Sequence, residues 1–538
     1  MALLKQLKAD KLSVKIYKTR GGAGDAAGKY CAELIRKLQR EKDFVNVMFA
    51  AAPSQSEMLA ALTSEEDIDW GRIRAFHMDE YIGLNKDAPQ CFGNFLYREL
   101  FSKVKFKEVF YINDESSPDG QCLRYRRLLE EYPADIICMG IGENGHIAFN
   151  DPHEADFNDK HTVKLVTLDE KCRRQQVNDG CFKTIDEVPK QAITVTAPYF
   201  LKVKYLVCTV PAASKAEAVF NTVRGEISEK CPASVMRNHD NAVMFADRDS
   251  GKRLLFRKAV ITDEISQDPE TAAELAKRYN LEGVEIRSVW DTAPEDLTDG
   301  QIDRINDILK QNGLKVVSIS SSIFKCRLGE DQTRKIDKTI RLAKKLGSGF
   351  IRCFSYWKDE NFDENAFAGE LKGYESLLKE NGITMLLEFD PAVNITNGRQ
   401  AASLLKKVNS PQIQAIWDPG NDIYNRPFDE IPYPDGYNVL KPYIKHVHLK
   451  DAVRTGDKTA GVAFGKGEVD YIGQLSALLK DNYDGYIVME THYKKGAEIS
   501  EDLLKNPKGS AFSQMGYQST EECLQNLDEI TEKVCAGF

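Results

Sequence analysis

Several things are missing from this 538-residue sequence, and each absence narrows what the chain can be. No two cysteines stand in a C-x-x-C pair. The twelve present are scattered, which fits a reducing cytoplasm in which most serve as small buried apolar side chains. No apolar run is long enough to span a bilayer, so no membrane partner is expected. The opening residues, Met1-Ala2-Leu3-Leu4-Lys5-Gln6-Leu7-Lys8, lack an apolar h-region, so no signal peptide is expected and a cytoplasmic protein is. Positive charge is in deficit: a net charge of −9 argues against non-specific binding to nucleic acid. Low-complexity segments and short-period repeats are absent too. What remains is 42% hydrophobic and 29% charged, enough apolar residues for sizeable cores. The length predicts roughly two to four domains.

One stretch organises the first half. Residues 134–138 are short and apolar, follow Pro133, and read as a buried strand. They empty into Gly140-Ile141-Gly142-Glu143-Asn144-Gly145-His146-Ile147-Ala148-Phe149-Asn150-Asp151-Pro152. Glycines there let the backbone turn tightly and come close to a ligand. An imidazole and a carboxylate just past a central strand stand where open α/β sheets hold their chemistry. A plain turn carrying a surface histidine would look the same in sequence.

Strand-like and helix-like runs alternate around it. Residues 25–39 have helical period, with Ala27, Cys31, Leu34, Ile35 and Leu38 on the apolar side. Residues 45–50 read as a strand, followed by Ala52-Pro53-Ser54-Gln55-Ser56-Glu57 and an apolar helix. Ser54 and Glu57 have capping-box spacing, and a capped helix start presents free N–H groups to an anion. A second strand, 73–77, runs into Met78-Asp79-Glu80-Tyr81, and residues 206–210 give way to a helix at Ala213-Ser214-Lys215-Ala216. A lysine there can reach a phosphate or can simply be a solvated helix-start residue.

Over about residues 10–250 these segments, in this order and spacing, resemble the glucosamine-6-phosphate deaminase/isomerase family. The carrying residues are Met78-Asp79-Glu80-Tyr81-Ile82-Gly83-Leu84, the stretch from Gly142 to Pro152, and Ser214-Lys215-Ala216. The resemblance implies a Rossmann-like doubly wound α/β fold and conversion of glucosamine 6-phosphate, or a related amino-sugar phosphate, to a ketose phosphate and ammonia. It implies Asp79 as the base between C2 and C1, and His146 as the ring-opening group supported by Asp151. Lys215 and the loop Ser54, Gln55 and Ser56 would hold the phosphate, and no cofactor would be needed. Such chemistry asks for one carboxylate over the C1–C2 edge, a separate proton donor near the ring oxygen, and a remote phosphate for positioning. Three features depart from the family pattern. The phosphate loop lacks its glycines, Asn144 stands where an Asp is usual, and Asp151 replaces a Glu. Arg173 and Arg174 lie near a family phosphate arginine without aligning to it. A lactonase-type relative is the other enzymatic reading, but Asp79-Glu80-Tyr81 and Ile147-Ala148-Phe149-Asn150 point to the deaminase branch.

The polar stretch 246–253 marks the expected boundary, giving halves 1–250 and 258–538. In the second half, strand-like runs recur at 258–262, 283–287, 314–320, 350–355, 383–389, 413–417, 444–449 and 486–490. Eight β/α units predict a (β/α)8 TIM barrel, and its later strands end in Glu388, Asp418, His446 or His448, and Glu490. Barrel strand ends converge on one mouth, and three carboxylates with an imidazole suit Mn²⁺, Mg²⁺ or Zn²⁺. Gly283-Val284-Glu285-Ile286-Arg287, Trp417-Asp418-Pro419-Gly420-Asn421 and His446-Val447-His448-Leu449-Lys450-Asp451 resemble the xylose-isomerase-like sugar phosphate isomerase/epimerase superfamily. That resemblance implies Glu388, Asp418, His448 and Glu490 as metal ligands, Glu388 and Glu490 also as proton shuttles, and His446 as structural. Runs 461–467 and 494–516 follow the last two strands and could close as lids or be ordinary loops. The expectation is a bifunctional enzyme acting on small sugar phosphates, with a homo-oligomer an open assembly. A regulator built on degenerate enzyme domains is the alternative.

Overall fold

The computed structural model describes all residues except 1, 115, 426–429, 457, 506, 508 and 538. The outer limits expected for the two halves, 1 and 538, and part of the run 494–516 therefore lie outside the described residues. The chain divides into two units, Met1–Leu255 and Phe256–Gly537. The polar stretch 246–253, where the boundary was expected, lies just before the division between the units. It forms the end of strand Ala242–Asp247 and most of helix Arg248–Leu255, whose charged side chains face outward while Leu254 and Leu255 are buried.

The N-terminal unit is built on an eight-stranded sheet. Its order is Leu3–Ala9, Leu12–Tyr17, Ala242–Asp247, Tyr205–Val210, Ile136–Met139, Val45–Phe49, Ile73–His77 and Glu108–Phe110. Only the pairing of the first two strands is antiparallel. The central strands are buried throughout, which is why they read as unbroken apolar runs. From Val45–Phe49 the chain winds outward one way through Ile73–His77. From its neighbour Ile136–Met139 it winds the other way. That reversal opens a crevice at the carboxyl ends of these two strands, where such sheets bind ligands.

Helix Arg20–Glu41 covers one side, burying Ala23, Ala27, Cys31, Ile35 and Leu38. It begins five residues before the periodicity suggested, because Thr19 accepts the Gly22 N–H and caps it. Gly28 is required by packing. A Cβ there would stand 2.7 Å from Ala61 Cβ and 2.8 Å from Met58 O, so the helix Ser56–Thr63 lies directly against it. A smaller antiparallel sheet pairs Asp79–Tyr81 with Gln191–Val195 and the latter with Val163–Thr167, placing Asp79 opposite Thr194.

In the C-terminal unit eight parallel strands close into a barrel. They are Arg257–Ile261, Gly283–Ile286, Lys315–Ile323, Phe350–Cys353, Thr384–Glu388, Ile413–Trp417, Ile444–Leu449 and Tyr486–Met489. A hairpin, Asp451–Thr455 with Lys458–Val462, stands between the seventh and eighth. The run 461–467 is thus the end of this hairpin and a turn, held by the Gly465 and Gly467 N–H groups on Asp451 Oδ2. Among the described residues no helix is long and apolar enough to cross a membrane.

Candidate functional site

In the N-terminal unit three strand ends meet at the crevice. The Ala50 N–H donates to Cys138 O at 2.8 Å, and Gln55 Nε2 donates to Thr209 O at 3.0 Å. This overturns one expectation. The Gln55 side chain is fully buried, and its own N–H is committed to Ala52 O at 2.9 Å, so it ties the loop down and presents nothing to a phosphate. The capping box is absent as well. Helix Ser56–Thr63 follows a short turn without a side-chain cap, and Glu57 instead pairs with Arg20 Nε at 2.6 Å. Ser54 and Ser56 remain at the mouth of this loop. Lys215 is buried rather than solvated, and that burial lowers its pKa against the opposing pull of Asp179 and Glu143. Arg173 binds the backbone carbonyl of Val188, at 3.0 Å, and that of Ile185, while Arg174 pairs with Glu170.

The imidazole of His146 lies over Gly142, where a Cβ would come within 2.2–2.4 Å of the ring. Its Nδ1 is 2.9 Å from Asp151 Oδ1. Burial alone would raise the Asp151 carboxyl, but His146, the Asn144 amide and the Asp169 N–H together hold it below the ordinary carboxylate range. Asn144 contacts both Asp151 and Asp169, and Asp169 escaped the sequence reading because it stands far along the chain.

Asp79 is buried, and burial, then the neighbouring Glu80, push its carboxyl well above the usual range. Glu80 accepts the Tyr81, Phe92 and Gly93 N–H groups, each at 2.9 Å, and burial raises it to about 7 in spite of them. His77 fixes the strand end behind Asp79. Its Nδ1 donates to Asp79 O and its Nε2 accepts from the Ile112 N–H, both at 2.9 Å, so the ring is neutral; burial lowers its pKa to about 4.

In the barrel, the expected four side chains do converge. Glu388, Asp418, His448 and Glu490 are all buried, and each offers one donor atom within 4.8 Å of the others. They are not bare acids. Lys450 Nζ is 2.6 Å from Asp418 Oδ2 and 2.9 Å from Glu490 Oε2. Arg352 meets Glu388 Oε2 at 2.9 Å, and Arg287 meets Glu490 Oε1 at 2.9 Å and Glu264 Oε1 at 2.7 Å. Mutual repulsion among the acids is therefore already opposed by the chain's own cations. Glu388 is held at about 2, against burial, by Arg352 and His448, whereas burial pushes Asp418 up in spite of Lys450. His448 Nδ1 faces Glu388 Oε1 at 3.2 Å, while its Nε2 faces Glu285 Oε1 at 3.1 Å. His446 Nε2 is 2.7 Å from the other Glu285 oxygen.

Glu285, Arg287, Arg352 and Lys450 were missed in the sequence, though two signals were there. Glu285 and Arg287 alternate on one face of a buried strand, as do His446, His448 and Lys450. Charged residues at such positions must find partners inside. A cavity of about 390 Å³ opens onto the site, lined by Arg287, Arg352, Glu388, Lys450, Glu490 and His492 among others. Thr459 of the hairpin and Leu504, Lys505 and Pro507 of the run 494–516 also line it.

Comparison with known proteins finds both halves. Residues 19–245 match the family described as glucosamine-6-phosphate isomerases/6-phosphogluconolactonase, and residues 273–510 match the xylose isomerase-like TIM barrel. The glucosamine-6-phosphate deaminase of Listeria innocua is 32% identical over 230 residues, spanning 43% of this chain and 96% of the relative. That of Streptococcus pneumoniae is 34% identical over 187 residues, spanning 35% and 78%. Among solved structures, a monomeric glucosamine-6-phosphate deaminase aligns with 45% of this chain and 99% of its own, at 28% identity and a TM-score of 0.41. A xylose isomerase domain protein from Planctomyces limnophilus aligns with 52% and 98%, at 15% identity and a TM-score of 0.39.

Proposed function

The chain belongs, through its N-terminal half, to the glucosamine-6-phosphate isomerase/6-phosphogluconolactonase family, and from that premise we propose that this unit converts glucosamine 6-phosphate, or a close amino-sugar phosphate, to a ketose phosphate and ammonia. The observation that carries the reading is that the unit buries two separate proton-handling groups, Asp79 and the His146–Asp151 pair, around one side chain: Cys172 lies beside His146 and Asp151, and after burial its thiol is raised by Asp151 and also by Asp79. A lactonase needs no base over C2. His146 takes the proton of the anomeric hydroxyl and passes it to the ring oxygen as the C1–O5 bond breaks and the C1 carbonyl forms, with Asp151 holding the imidazole in place. Asp79, made more basic by its burial, in its ionised form removes the proton from C2 as a proton of the substrate ammonium passes to the C1 oxygen, and then returns its proton to C1. The C–N bond at C2 becomes an imine, and water replaces the nitrogen as ammonia. Lys215, Ser54 and Ser56 hold the phosphate away from these carbons, so its binding energy fixes the sugar's orientation.

For the barrel we propose a metal-dependent sugar or sugar-phosphate isomerase or epimerase. Glu388, Asp418, His448 and Glu490 would hold one divalent cation, Mn²⁺, Mg²⁺ or Zn²⁺, and their donor set and spacing fit one. When bound, the ion supplies a Lewis acid beside the substrate carbonyl. The chain's own part is to orient His448 through Glu285, and to keep Glu388 ionised through Arg352 and Glu490 through Lys450 and His492 for proton transfer. A cytoplasmic setting goes with the reading, since sugar phosphates are made and consumed there.

Asp79→Asn tests the first activity. It should keep sugar-phosphate binding near wild type and lower ammonia release by about 10²–10⁴, the usual worth of a general base. Ammonia release at the wild-type rate would remove Asp79 from the mechanism, and wild-type hydrolysis of 6-phosphogluconolactone without ammonia release would favour the lactonase branch.

A further inference from the structure

Asn144 lies in a closed circuit of hydrogen bonds that the reaction scheme does not use. Its Oδ1 accepts the His146 N–H at 3.0 Å, which fixes the amide nitrogen on the side of the two acids. That nitrogen donates one hydrogen to Asp151 Oδ1 at 2.9 Å and the other to Asp169 Oδ2 at 3.0 Å. Asp169 closes the circuit by donating its own N–H to Asp151 Oδ2 at 3.2 Å. Its remaining oxygen caps the helix Glu170–Asn178 by accepting the Cys172 N–H. Asp151 Oδ1, so held, is the atom 2.9 Å from His146 Nδ1.

An amide with two hydrogens is the neutral group that can stand between two carboxylates and satisfy both. An acceptor-only side chain at 144 would face two acceptors. Relief would require protonating Asp151 or swinging it off the imidazole. We propose that Asp169 is a positioning residue for His146, acting through Asn144 and Asp151, so that residues 144, 151 and 169 work as one unit. The inference rests on the reading of His146 as the ring-opening group.

The test compares Asn144→Asp, Asn144→Ala, Asp169→Asn and the double variant Asn144→Asp/Asp169→Asn. Asp matches Asn in shape, so a role in shape alone predicts that Asn144→Asp is milder than Asn144→Ala. The circuit predicts the reverse: Asn144→Asp lowers kcat for ammonia release about 10²-fold or more, exceeds the loss in Asn144→Ala, and leaves KM near wild type because the phosphate contacts are untouched. Asp169→Asn alone lowers kcat about tenfold. In the double variant one of three crowded carboxylates is gone, and at least tenfold of the Asn144→Asp loss returns. Independently of turnover, nitrogen NMR of the His146 ring should show the proton on Nδ1 in the wild type and a mixed or reversed tautomer in Asn144→Asp. A milder Asn144→Asp, an additive double variant or an unmoved tautomer would overturn the proposal. Absence of ammonia release in the wild type would sink the deaminase reading instead, and the ring signals would still decide the circuit.

Discussion

Gly142→Ala is the smallest change that should disable the N-terminal site, and its effect can be worked from distances. The residue needs no unusual backbone; what it lacks is room. A Cβ at 142 would stand 2.2 Å from His146 Cε1, 2.3 Å from Nε2 and 2.4 Å from Nδ1. Carbon contacts are ordinarily about 3.5–4 Å, so the ring must withdraw by more than about 1 Å. The ring cannot do so and also keep its 2.9 Å approach to Asp151. A displacement of that size at a reacting group costs on the order of 10²-fold in rate. The cost in stability should stay within about 1–3 kcal/mol, the range for one added methyl in a packed site. The assay is ammonia release from glucosamine 6-phosphate beside a thermal melt and a phosphate-ligand titration. We expect kcat to fall about a hundredfold, with a modest fall in Tm and nearly unchanged ligand binding. A folded variant with kcat within about threefold of wild type would refute both the placement of the ring over Gly142 and the role given to His146.

Lys215→Ala should weaken phosphorylated sugars by about 1.5–3 kcal/mol, the worth of a charged hydrogen bond, and barely touch their unphosphorylated counterparts; equal losses in a competition titration would make Lys215 a packing residue. Elemental analysis should find one divalent ion in the C-terminal unit of the wild type and little in His448→Ala, and the same metal content in both would end the proposed site. His77 gives a pH prediction. Its folded pKa of about 4 lies below the ordinary 6.5, so the unfolded chain takes up a proton that the folded chain refuses. Its contribution is fully present above pH 6.5 and is lost as pH falls toward 4, approaching about 3 kcal/mol at 1.36 kcal/mol per unit. Urea midpoints of the N-terminal transition should therefore drop over that window, and the drop should shrink in His77→Gln; identical slopes in the two proteins would acquit His77.

The barrel was the more legible half because its signals are local and repeated. Each strand is an apolar run closed by a polar group, and seven of the eight expected strands lie within one or two residues of the observed ones at each end. The third is the exception: it continues through Ser320, Ser321 and Ser322 to Ile323, with Ser320 and Ser322 on the cavity and Ser321 against Thr339 of the helix outside, positions that hydropathy does not mark as strand. The hairpin Asp451–Val462 was lost for a related reason. Its strands are partly exposed and rich in Lys, Arg and Thr, so their pattern resembles a loop. In the N-terminal half the crevice followed from strand ends, but the loop after Val45–Phe49 misled. Ser54 and Glu57 match the spacing of a capping box, and only the tertiary contact with Arg20 shows where Glu57 goes.

What sequence spacing could not carry is the state of a charge, because that depends on neighbours far away in the chain. Three carboxylates and an imidazole in the barrel implied a metal site. Folding brings Arg287, Arg352 and Lys450 onto oxygens of Glu490, Glu388 and Asp418, so their negative charge is offset by the chain itself. The proposed cation would compete with Lys450 for Asp418 and Glu490, so its affinity would depend on a residue outside the four expected ligands. The same logic governs the first half. Asn144 and Asp151 each look like a weakening when taken singly against the family pattern, one having lost a charge and the other a methylene. Joined by Asp169 they stop being separate losses. The charge missing at 144 is what allows two carboxylates to share one amide, and the shorter acid at 151 reaches the imidazole directly.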